Sequence, residues 1–163
     1  MSRQTIPTPI GPLLAEADEK GLFSLRFGRA EAEVPDKITE ETAKQLREYF
    51  SGKRQVFTVP LAPRGTEFQR SVWEKLREVP FGKVASYGAL AAALGRPSAA
   101  RAVANALGKN PILILQPCHR IVAARGLGGF TGGLSAKRTL LSLEHVEISE
   151  NTRFSQKYFF TFL

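Results

Sequence analysis

The chain has 163 residues, 43% of them hydrophobic, and is long enough to form one or two domains with a sizeable core. It has no apolar run near the roughly 20 residues that span a bilayer, and its first residues lack the apolar stretch of a secretory signal. Its single cysteine excludes an internal disulfide and a multi-cysteine zinc site, and a free thiol is typical of a reducing, intracellular compartment.

The net charge of +8 is confined to one segment of the chain. Residues 64–144 contain twelve Lys and Arg against four Asp and Glu, whereas residues 1–63 have nine of each and residues 145–163 have two of each. A basic segment of this kind is typical of a surface that binds nucleic acid through its phosphates. A solubilising face would give the same pattern, so charge alone leaves both interpretations open.

Residues 1–60 are predicted to form a small α/β unit. Apolar and polar residues alternate over 23–27 and again over 57–61, which predicts two strands. Between them, residues 39–50 have apolar positions at helical spacing, with Thr39 as the expected N-cap. Nothing in this half suggests chemistry, so we interpret it as a packing scaffold. The stretch 60–65 has the proline and glycine content of a linker.

Three helices are predicted after the linker. Thr66 and Gln69 form a capping box that starts the first of them. The next two are short, over residues 87–94 and 99–107, with Ser86 and Ser98 as their expected N-caps. Two helices joined by a turn of about four residues fit a helix-turn-helix. The second is rich in alanine, which allows close approach either to a neighbouring helix or to a DNA groove.

The cysteine follows a short apolar run. Residues 112–115 are β-prone and predict a buried strand, which would deliver Cys118 and His119 to the edge of a core. A thiol is strongly nucleophilic only as the thiolate, and an adjacent imidazole with nearby cations is expected to lower its pKa. The alternative is that Cys118 is an inert, buried, small hydrophobic residue.

A glycine-dense segment and an aromatic tail complete the chain. Residues 126–133 hold five of the fourteen glycines, which predicts a loop whose backbone closely approaches another group. The loop lacks the Lys-Ser/Thr ending of a phosphate-binding loop. Ser135 is the expected N-cap of a last helix that ends near Glu144. The tail, residues 149–163, is too apolar for ordinary disorder and predicts docking on the core or on a partner.

These features occur in the order and spacing of one family. The motifs that carry the resemblance are residues 65–73, 79–82, 86–90, 95–97, 100–103, 110–111, 117–120, 131–133, 140–141 and 143–144. Over about the first 145 residues the sequence resembles the O6-alkylguanine-DNA alkyltransferases, also called methylated-DNA–protein-cysteine methyltransferases. Residues 9–13 and 24–27 look like the variable amino-terminal domain of that family.

The resemblance implies an α+β or α/β fold with three parts. These are an amino-terminal α/β scaffold domain over 1–63, a mostly helical helix-turn-helix alkyltransferase domain over 64–147, and a tail of unknown role over 148–163. It also implies irreversible, single-turnover transfer of the alkyl group from O6-alkylguanine, and from O4-alkylthymine, to Cys118. The base would be flipped out of double-stranded DNA that is held through its minor groove. No cofactor, metal, membrane or obligate protein partner is expected, and the protein should be a cytoplasmic monomer, nucleoid-associated, or nuclear in a eukaryote.

The family's residue roles carry over to matching positions. The expected catalytic residues are Cys118 as nucleophile, His119 as its base through a water, Glu144, Asn110, and Tyr87 as proton donor to the guanine ring. The expected DNA-binding residues are Arg101, which would replace the flipped base, with Ala99, Ala100, Ala102, Ser86 and Arg120. The expected substrate-binding residues are Ile121, Phe130, Thr131 and Gly132.

Two positions depart from the family pattern. Phe130 stands where the family usually has tyrosine, and Gln116 stands where it usually has an aliphatic residue. These departures put the substrate range in question. Two rival functions also remain at this stage. The first is a non-catalytic alkyltransferase-like protein that binds the lesion, although such relatives replace the cysteine. The second is a cysteine hydrolase, which leaves the basic helix-turn-helix unexplained.

Overall fold

A computed structural model describes residues 1–163, which form two compact units. The first unit contains Met1–Arg64 and Pro111–Leu113, and the second contains Gly65–Asn110 and Ile114–Leu163. A small sheet with one helix makes the first unit, and four helices dominate the second. This confirms the predicted fold class. The predicted boundaries at residues 63 and 147 stay predictions. No helix is both long and apolar enough to cross a membrane.

The first unit is an antiparallel sheet with one helix. Its strands pair in chain order, and they are β1 (Ser2–Ile6), β2 (Leu13–Asp18) and β3 (Gly21–Phe27). The helix α1 spans Lys37–Phe50 and is capped by Asp36 rather than by Thr39. The Asp36 carboxylate accepts from the Thr39 backbone N–H at 2.9 Å, while the Thr39 hydroxyl accepts from the Asp36 N–H at 3.0 Å. Thr39 is therefore the third residue of the helix and the partner of Asp36 in the capping box.

Two predicted strands are absent as regular elements. Residues 57–61 contribute only an isolated bridge between Leu61 and Leu22, and residues 112–115 contribute only one between Ile112 and Leu25. In the second case the run is buried as expected, but the chain turns at Ile114, whose φ is 69°. A β-branched residue in the left-handed region cannot continue a strand. The turn is what directs the chain toward Cys118.

Four helices form most of the second unit, and they are α2 (Glu67–Leu76), α3 (Tyr87–Ala93), α4 (Ala100–Gly108) and α5 (Leu134–Leu143). The capping box of Thr66 and Gln69 and the Ser86 cap are confirmed. Ser98 and Ser135 are not caps, because the positions before α4 and α5 are Ala99 and Gly133, which offer no side-chain acceptor.

A short parallel ladder lies beside these helices. Strand β4 (Ala85–Ser86) pairs with β5 (Ile121–Val122), and β4 runs directly into α3. The backbone pairing of these two strands holds the start of α3 in fixed register with the segment that directly follows the Cys118 turn. The pairing was not foreseen, because two-residue strands give no periodic signal in a sequence.

The aromatic tail packs on the core of the second unit. The Val84 N–H donates to the Tyr158 carbonyl and the Phe160 N–H donates to the Val84 carbonyl, both at 2.8 Å. Tyr158 is buried in a cluster to which Phe154 and Phe159 also pack, and the cluster's other members are Val84, Val122, Leu127, Leu141 and Val146. Of the two possibilities that the sequence left open, the structure shows docking on the core.

We predict that Tyr158→Ala lowers the free energy of unfolding by about 3 kcal/mol, because it removes a buried aromatic ring. Phe162→Ala is the matched control, since Phe162 is only half-buried and its ring packs edge-on to the Phe160 ring, and it should cost less than about 1 kcal/mol. Urea unfolding of both variants measures the difference. If Tyr158→Ala lowered the free energy of unfolding no more than Phe162→Ala does, Tyr158 would not be part of the core.

Candidate active site

The centre of the site is a single 3-10 turn, Cys118–Arg120, that places consecutive side chains in a buried ionic cluster. His119 Nε2 lies 2.7 Å from Glu144 Oε2, and Arg120 binds both oxygens of the same carboxylate, at 2.8 and 3.0 Å. The Gly82 backbone N–H also donates to Glu144, at 3.3 Å. Burial alone would raise the pKa of Glu144, but the hydrogen bond from His119 and the charge and hydrogen bonds of the Arg120 guanidinium hold that pKa well below its usual range. Glu144 is therefore a carboxylate.

This cluster decides which nitrogen of His119 carries the proton. Burial lowers the pKa of His119, with Glu144 opposing that effect, so the ring is neutral near pH 7. A carboxylate only accepts hydrogen bonds, so Nε2 must be the protonated nitrogen that donates to Glu144. Nδ1 then keeps a free lone pair, and it is buried without a hydrogen-bond partner. The arrangement presents a base at Nδ1.

The thiol of Cys118 is buried, with 5% of the residue exposed. Burial raises the pKa of the thiol to about 11, although the Asn110 amide and the Lys137 charge oppose this. The expectation that the neighbouring groups lower this pKa is therefore not met in the resting protein, because desolvation of the thiolate outweighs them. Reaction at neutral pH requires a base that removes the thiol proton.

Asn110 and Gln116 form a hydrogen-bonded pair next to the sulfur. Asn110 Nδ2 donates to Cys118 Sγ at 3.1 Å and to the Gln116 carbonyl at 2.8 Å. In return, Gln116 Nε2 donates to Asn110 Oδ1 at 2.8 Å. The polar side chain at 116, unusual for the family it resembles, is thus fully buried and has a partner. A donor aimed at sulfur stabilises the thiolate form.

A cavity of about 390 Å³ opens over the thiol. Its lining residues are Tyr87, Ala104, Leu107, Gly108, Cys118, Gly129, Phe130 and Thr131. This size is typical of pockets for small ligands. Phe130 stands edge-on to the His119 ring, with centroids 6.5 Å apart, and so contributes an aromatic wall without a hydroxyl. The cavity brings together the predicted Cys118, Tyr87, Phe130 and Thr131.

The glycine-rich loop approaches Tyr87 so closely that a side chain would not fit. A Cβ at Gly128 would lie 2.8 Å from Tyr87 Oη, and the φ of Gly128 is 75°. The Gly129 N–H donates to Tyr87 Oη at 3.2 Å, which leaves the Tyr87 O–H hydrogen free to donate elsewhere. Burial raises the pKa of Tyr87, so the hydroxyl keeps its proton at neutral pH. The predicted loop is confirmed, and its close contact is Tyr87.

Lys137 is a buried residue that the sequence interpretation missed. It has no exposed surface, and its Nζ donates to the carbonyls of Ile121 at 2.6 Å and Gly129 at 2.9 Å. Burial lowers its pKa to about 8. The available signal was helical spacing, because position 137 shares a face of α5 with Leu140, Leu141 and Glu144. Ile121, predicted to bind substrate through its carbonyl, already accepts one hydrogen bond from this lysine.

Arg120, predicted to contact DNA, is buried in the Glu144 cluster. Only 6% of the residue is exposed, and its remaining Nη1 donates to the Val79 carbonyl at 2.8 Å. Three of its five N–H groups are bonded inside the protein, so the structure gives no support to a surface phosphate contact at Arg120. Its role is to hold Glu144.

The other predicted DNA contacts lie around α3 and α4. Arg101 and Ala102 are exposed, and Ala99, Ala100 and Ser86 are half-buried. Ser86 Oγ also accepts from the Ala89 N–H, at 3.0 Å, as the N-cap of α3. The substrate-binding prediction for Thr131 concerns its backbone N–H. The side-chain hydroxyl of Thr131 donates instead to the Gly108 carbonyl. Gly132 follows it in the same loop, and no contact distinguishes it.

Two family models together match almost the whole chain. Residues 67–146 match the DNA-binding domain of 6-O-methylguanine DNA methyltransferase, and residues 1–63 match its ribonuclease-like domain. The chain belongs to the O6-alkylguanine-DNA alkyltransferase family. The resemblance inferred from the motifs is thereby confirmed.

Curated relatives agree with this family. A methylated-DNA–protein-cysteine methyltransferase of Methanosarcina acetivorans is 47% identical over 146 residues, covering 84% of this chain and 94% of its own length. One of Haemophilus influenzae is 39% identical and covers 93% of this chain and 94% of its own. Among solved structures, Mycobacterium tuberculosis OGT in complex with DNA is similar, with a TM-score of 0.81 and 42% identity over 88% of this chain and 92% of that one.

We predict that the buried imidazole makes stability fall in mild acid. The unfolded chain takes up a proton at His119 below the ordinary histidine pKa of about 6.5, whereas the folded protein, in which burial lowers that pKa, does not. The free energy of unfolding should therefore drop below pH 6.5, by at most about 1.4 kcal/mol per pH unit for this one group. Urea unfolding at several pH values from 5 to 8 measures it.

The chain offers a matched control, because its other histidine, His145, is exposed. His119→Gln should flatten the slope between pH 6.5 and 5, whereas His145→Gln should leave it unchanged. If His119→Gln keeps the wild-type slope, the imidazole is not held neutral in the folded protein.

Proposed function

We propose that this protein repairs DNA by transferring the alkyl group of O6-alkylguanine, and of O4-alkylthymine, to its own Cys118. The observation that carries the proposal is the position of the thiol. It lies in the wall of a cavity of about 390 Å³, next to a buried base that is oriented by a carboxylate. Tyr87, at the start of the first helix of the helix-turn-helix, lines the same cavity.

The first step is activation of the thiol. His119 Nδ1 accepts the Cys118 proton through a water molecule, and Nε2–H stays bonded to Glu144, whose negative charge stabilises the imidazolium that forms. The Asn110 amide donates to the sulfur and stabilises the thiolate. These groups compensate for the burial that keeps the resting thiol protonated.

The second step is a single displacement at the alkyl carbon. The thiolate forms a carbon–sulfur bond while the bond from that carbon to O6 breaks, and the electron pair passes to the guanine ring. Tyr87 donates its hydroxyl proton to the ring nitrogen, which makes guanine a better leaving group. The resulting tyrosinate is reprotonated by the imidazolium through solvent. The thioether is stable to water at neutral pH, so each molecule reacts once.

The remaining cavity groups recognise the base. We assign the carbonyls of Cys118 and Ile121 to the exocyclic amine and the Thr131 N–H to O6, with Phe130 and Gly132 in the wall of the loop. The Ile121 carbonyl can accept a second hydrogen bond besides that from Lys137, because a carbonyl oxygen has two lone pairs.

The protein binds DNA, and we propose that it does so as a monomer through the minor groove. The second unit carries the basic excess of the chain, and α4 presents Arg101 and Ala102 to solvent. Small residues on a helix permit close approach to a narrow groove, and a planar guanidinium can stack in place of a flipped base. We assign residues 1–63 to a scaffold role and residues 64–147 to binding and catalysis.

The alternative of a non-catalytic lesion-binding protein is not favoured. Schizosaccharomyces pombe Atl1, solved with damaged DNA containing O6-carboxymethylguanine, is similar to 60% of this chain, with a TM-score of 0.52 and 30% identity. The present chain keeps a cysteine in the cavity, with a base and a hydrogen-bond donor arranged around it. A protein that only binds the lesion has no need of that arrangement.

We predict stoichiometric transfer. With excess duplex DNA containing labelled O6-methylguanine, the label should move to protein in a burst of one methyl group per molecule and then stop. Mass spectrometry should place the added methyl group on Cys118. Cys118→Ala should accept no label yet bind the same DNA, because the binding elements lie elsewhere. Several turnovers per molecule, or label on the alanine variant, would refute the mechanism.

We predict that Arg101→Ala slows repair of duplex DNA by at least about tenfold but changes the reaction with free O6-methylguanine far less. Extrusion costs a few kcal/mol only when a base stack must be broken. Lys109→Ala removes the same charge at the other end of α4 and is the matched control. Rates of methyl transfer from both substrates measure this. Equal losses in the two variants would reduce Arg101 to a general phosphate contact.

A further inference from the structure

Lys137 is the one buried charge next to the reacting thiol that the mechanism above does not use. Its side chain is wholly buried on α5, and both of its hydrogen bonds go to backbone carbonyls. No carboxylate pairs with it, and the buried Glu144 is engaged by His119 and Arg120. An unpaired buried ammonium is costly, so its retention calls for a specific reason.

The two carbonyls belong to two different segments of the second unit. Ile121 directly follows the turn that carries Cys118, and Gly129 lies in the glycine-rich loop. The Gly129 peptide is held on both sides, since its N–H donates to Tyr87 Oη at 3.2 Å and its C=O accepts from Lys137 Nζ at 2.9 Å. Five glycines within residues 126–133 give this loop little conformational preference of its own.

The charge of Lys137 also acts on the thiol. Attraction between the ammonium and a thiolate favours the charged form of both groups, and this opposes the burial that disfavours it. The titratable groups around the ammonium are Cys118 and His119 on the turn, and Tyr87, which is linked through Gly129. Of these, only Cys118 becomes negative in the activation step.

We propose that Lys137 is a positioning residue for alkyl transfer, which fixes the glycine-rich loop over Cys118 and supplies the positive charge that stabilises its thiolate. The proposal deepens the function assigned above, yet neither of its two parts needs DNA to be tested. Lys137 makes no hydrogen bond to the sulfur. It acts through its hydrogen bond to the Gly129 carbonyl and through the electrostatic effect of its positive charge.

The charge is tested by the rate of Cys118 alkylation with iodoacetamide at pH 7, where Lys137 is still charged. Lys137→Gln keeps a donor for the carbonyls but removes the charge, whereas Lys137→Arg keeps the charge. In Lys137→Gln the rate at pH 7 should fall about tenfold, which corresponds to about one pH unit in the thiolate equilibrium. It should stay near the wild-type value in Lys137→Arg and in the exposed control Arg138→Met. If the Gln and Arg variants react at the same rate, the proposed charge effect is wrong.

The loop is tested by amide hydrogen exchange. Lys137→Met removes both hydrogen bonds, and the amides of residues 128–131 should then exchange at least about tenfold faster, whereas Arg138→Met should leave them unchanged. Unchanged exchange in a folded Lys137→Met protein would overturn the loop assignment. Thermal unfolding establishes that each variant folds, and if Lys137→Met does not, the same exchange measurement on Lys137→Gln decides.

The outcome is separable from the proposed function. If the wild-type protein accepted no methyl group from DNA, the proposed function would fail, while the iodoacetamide and exchange results would still report on Lys137. If the wild type repairs DNA and the iodoacetamide rate at pH 7 does not fall in Lys137→Gln, the Lys137 proposal alone fails.

Discussion

The shared carboxylate of Glu144 is the interaction on which the active centre depends. It joins three segments that are distant in sequence. These are the end of α5, the turn that carries Cys118, and residues 79–82 through Arg120 Nη1 and the Gly82 N–H. Both oxygens are satisfied, which is the condition under which a buried carboxylate is tolerated. Loss of one partner from a buried pair costs about 3–5 kcal/mol, because an uncompensated charge remains.

Burial favours the base at this site but disfavours the nucleophile. It lowers the pKa of His119, so that Nδ1 can accept a proton, and it raises the pKa of the Cys118 thiol, which opposes formation of the thiolate. Activation therefore needs a positioned base and the positive field of nearby donors.

Local features of the fold could be predicted from the sequence. The alternation of Phe23, Leu25 and Phe27 and the capping box of Thr66 and Gln69 have their causes within a few residues, and both are present in the structure. Motif spacing identified the family and, with it, four of the eight residues that line the cavity, namely Tyr87, Cys118, Phe130 and Thr131. Features with non-local causes were missed. The turn at Ile114 and the pairing of β4 with β5 depend on tertiary contacts, which no short window of sequence contains.

The burial of two basic residues could not be predicted from the sequence either. Arg and Lys are rarely buried unless they are paired, so sequence interpretation places them on the surface by default. Arg120 and Lys137 both violate that expectation, since Arg120 donates to Glu144 and to the Val79 carbonyl, and Lys137 donates to two backbone carbonyls. Of the twelve basic residues in 64–144, these two are buried, so the surface charge of the second unit is smaller than the composition suggests.

Gln116 shows how a departure from a family pattern can be absorbed. An aliphatic residue at this position would leave Asn110 Oδ1 without the donor that Gln116 Nε2 supplies at 2.8 Å. Asn110 Nδ2 also donates to the Gln116 backbone carbonyl at 2.8 Å, so the main chain and the side chain at 116 both orient the amide with Nδ2 toward Cys118 Sγ. Since only a donor stabilises a thiolate, this is the orientation that the reaction requires. The polar residue at 116 thus supports the nucleophile, and its effect on substrate range is indirect because it does not line the cavity.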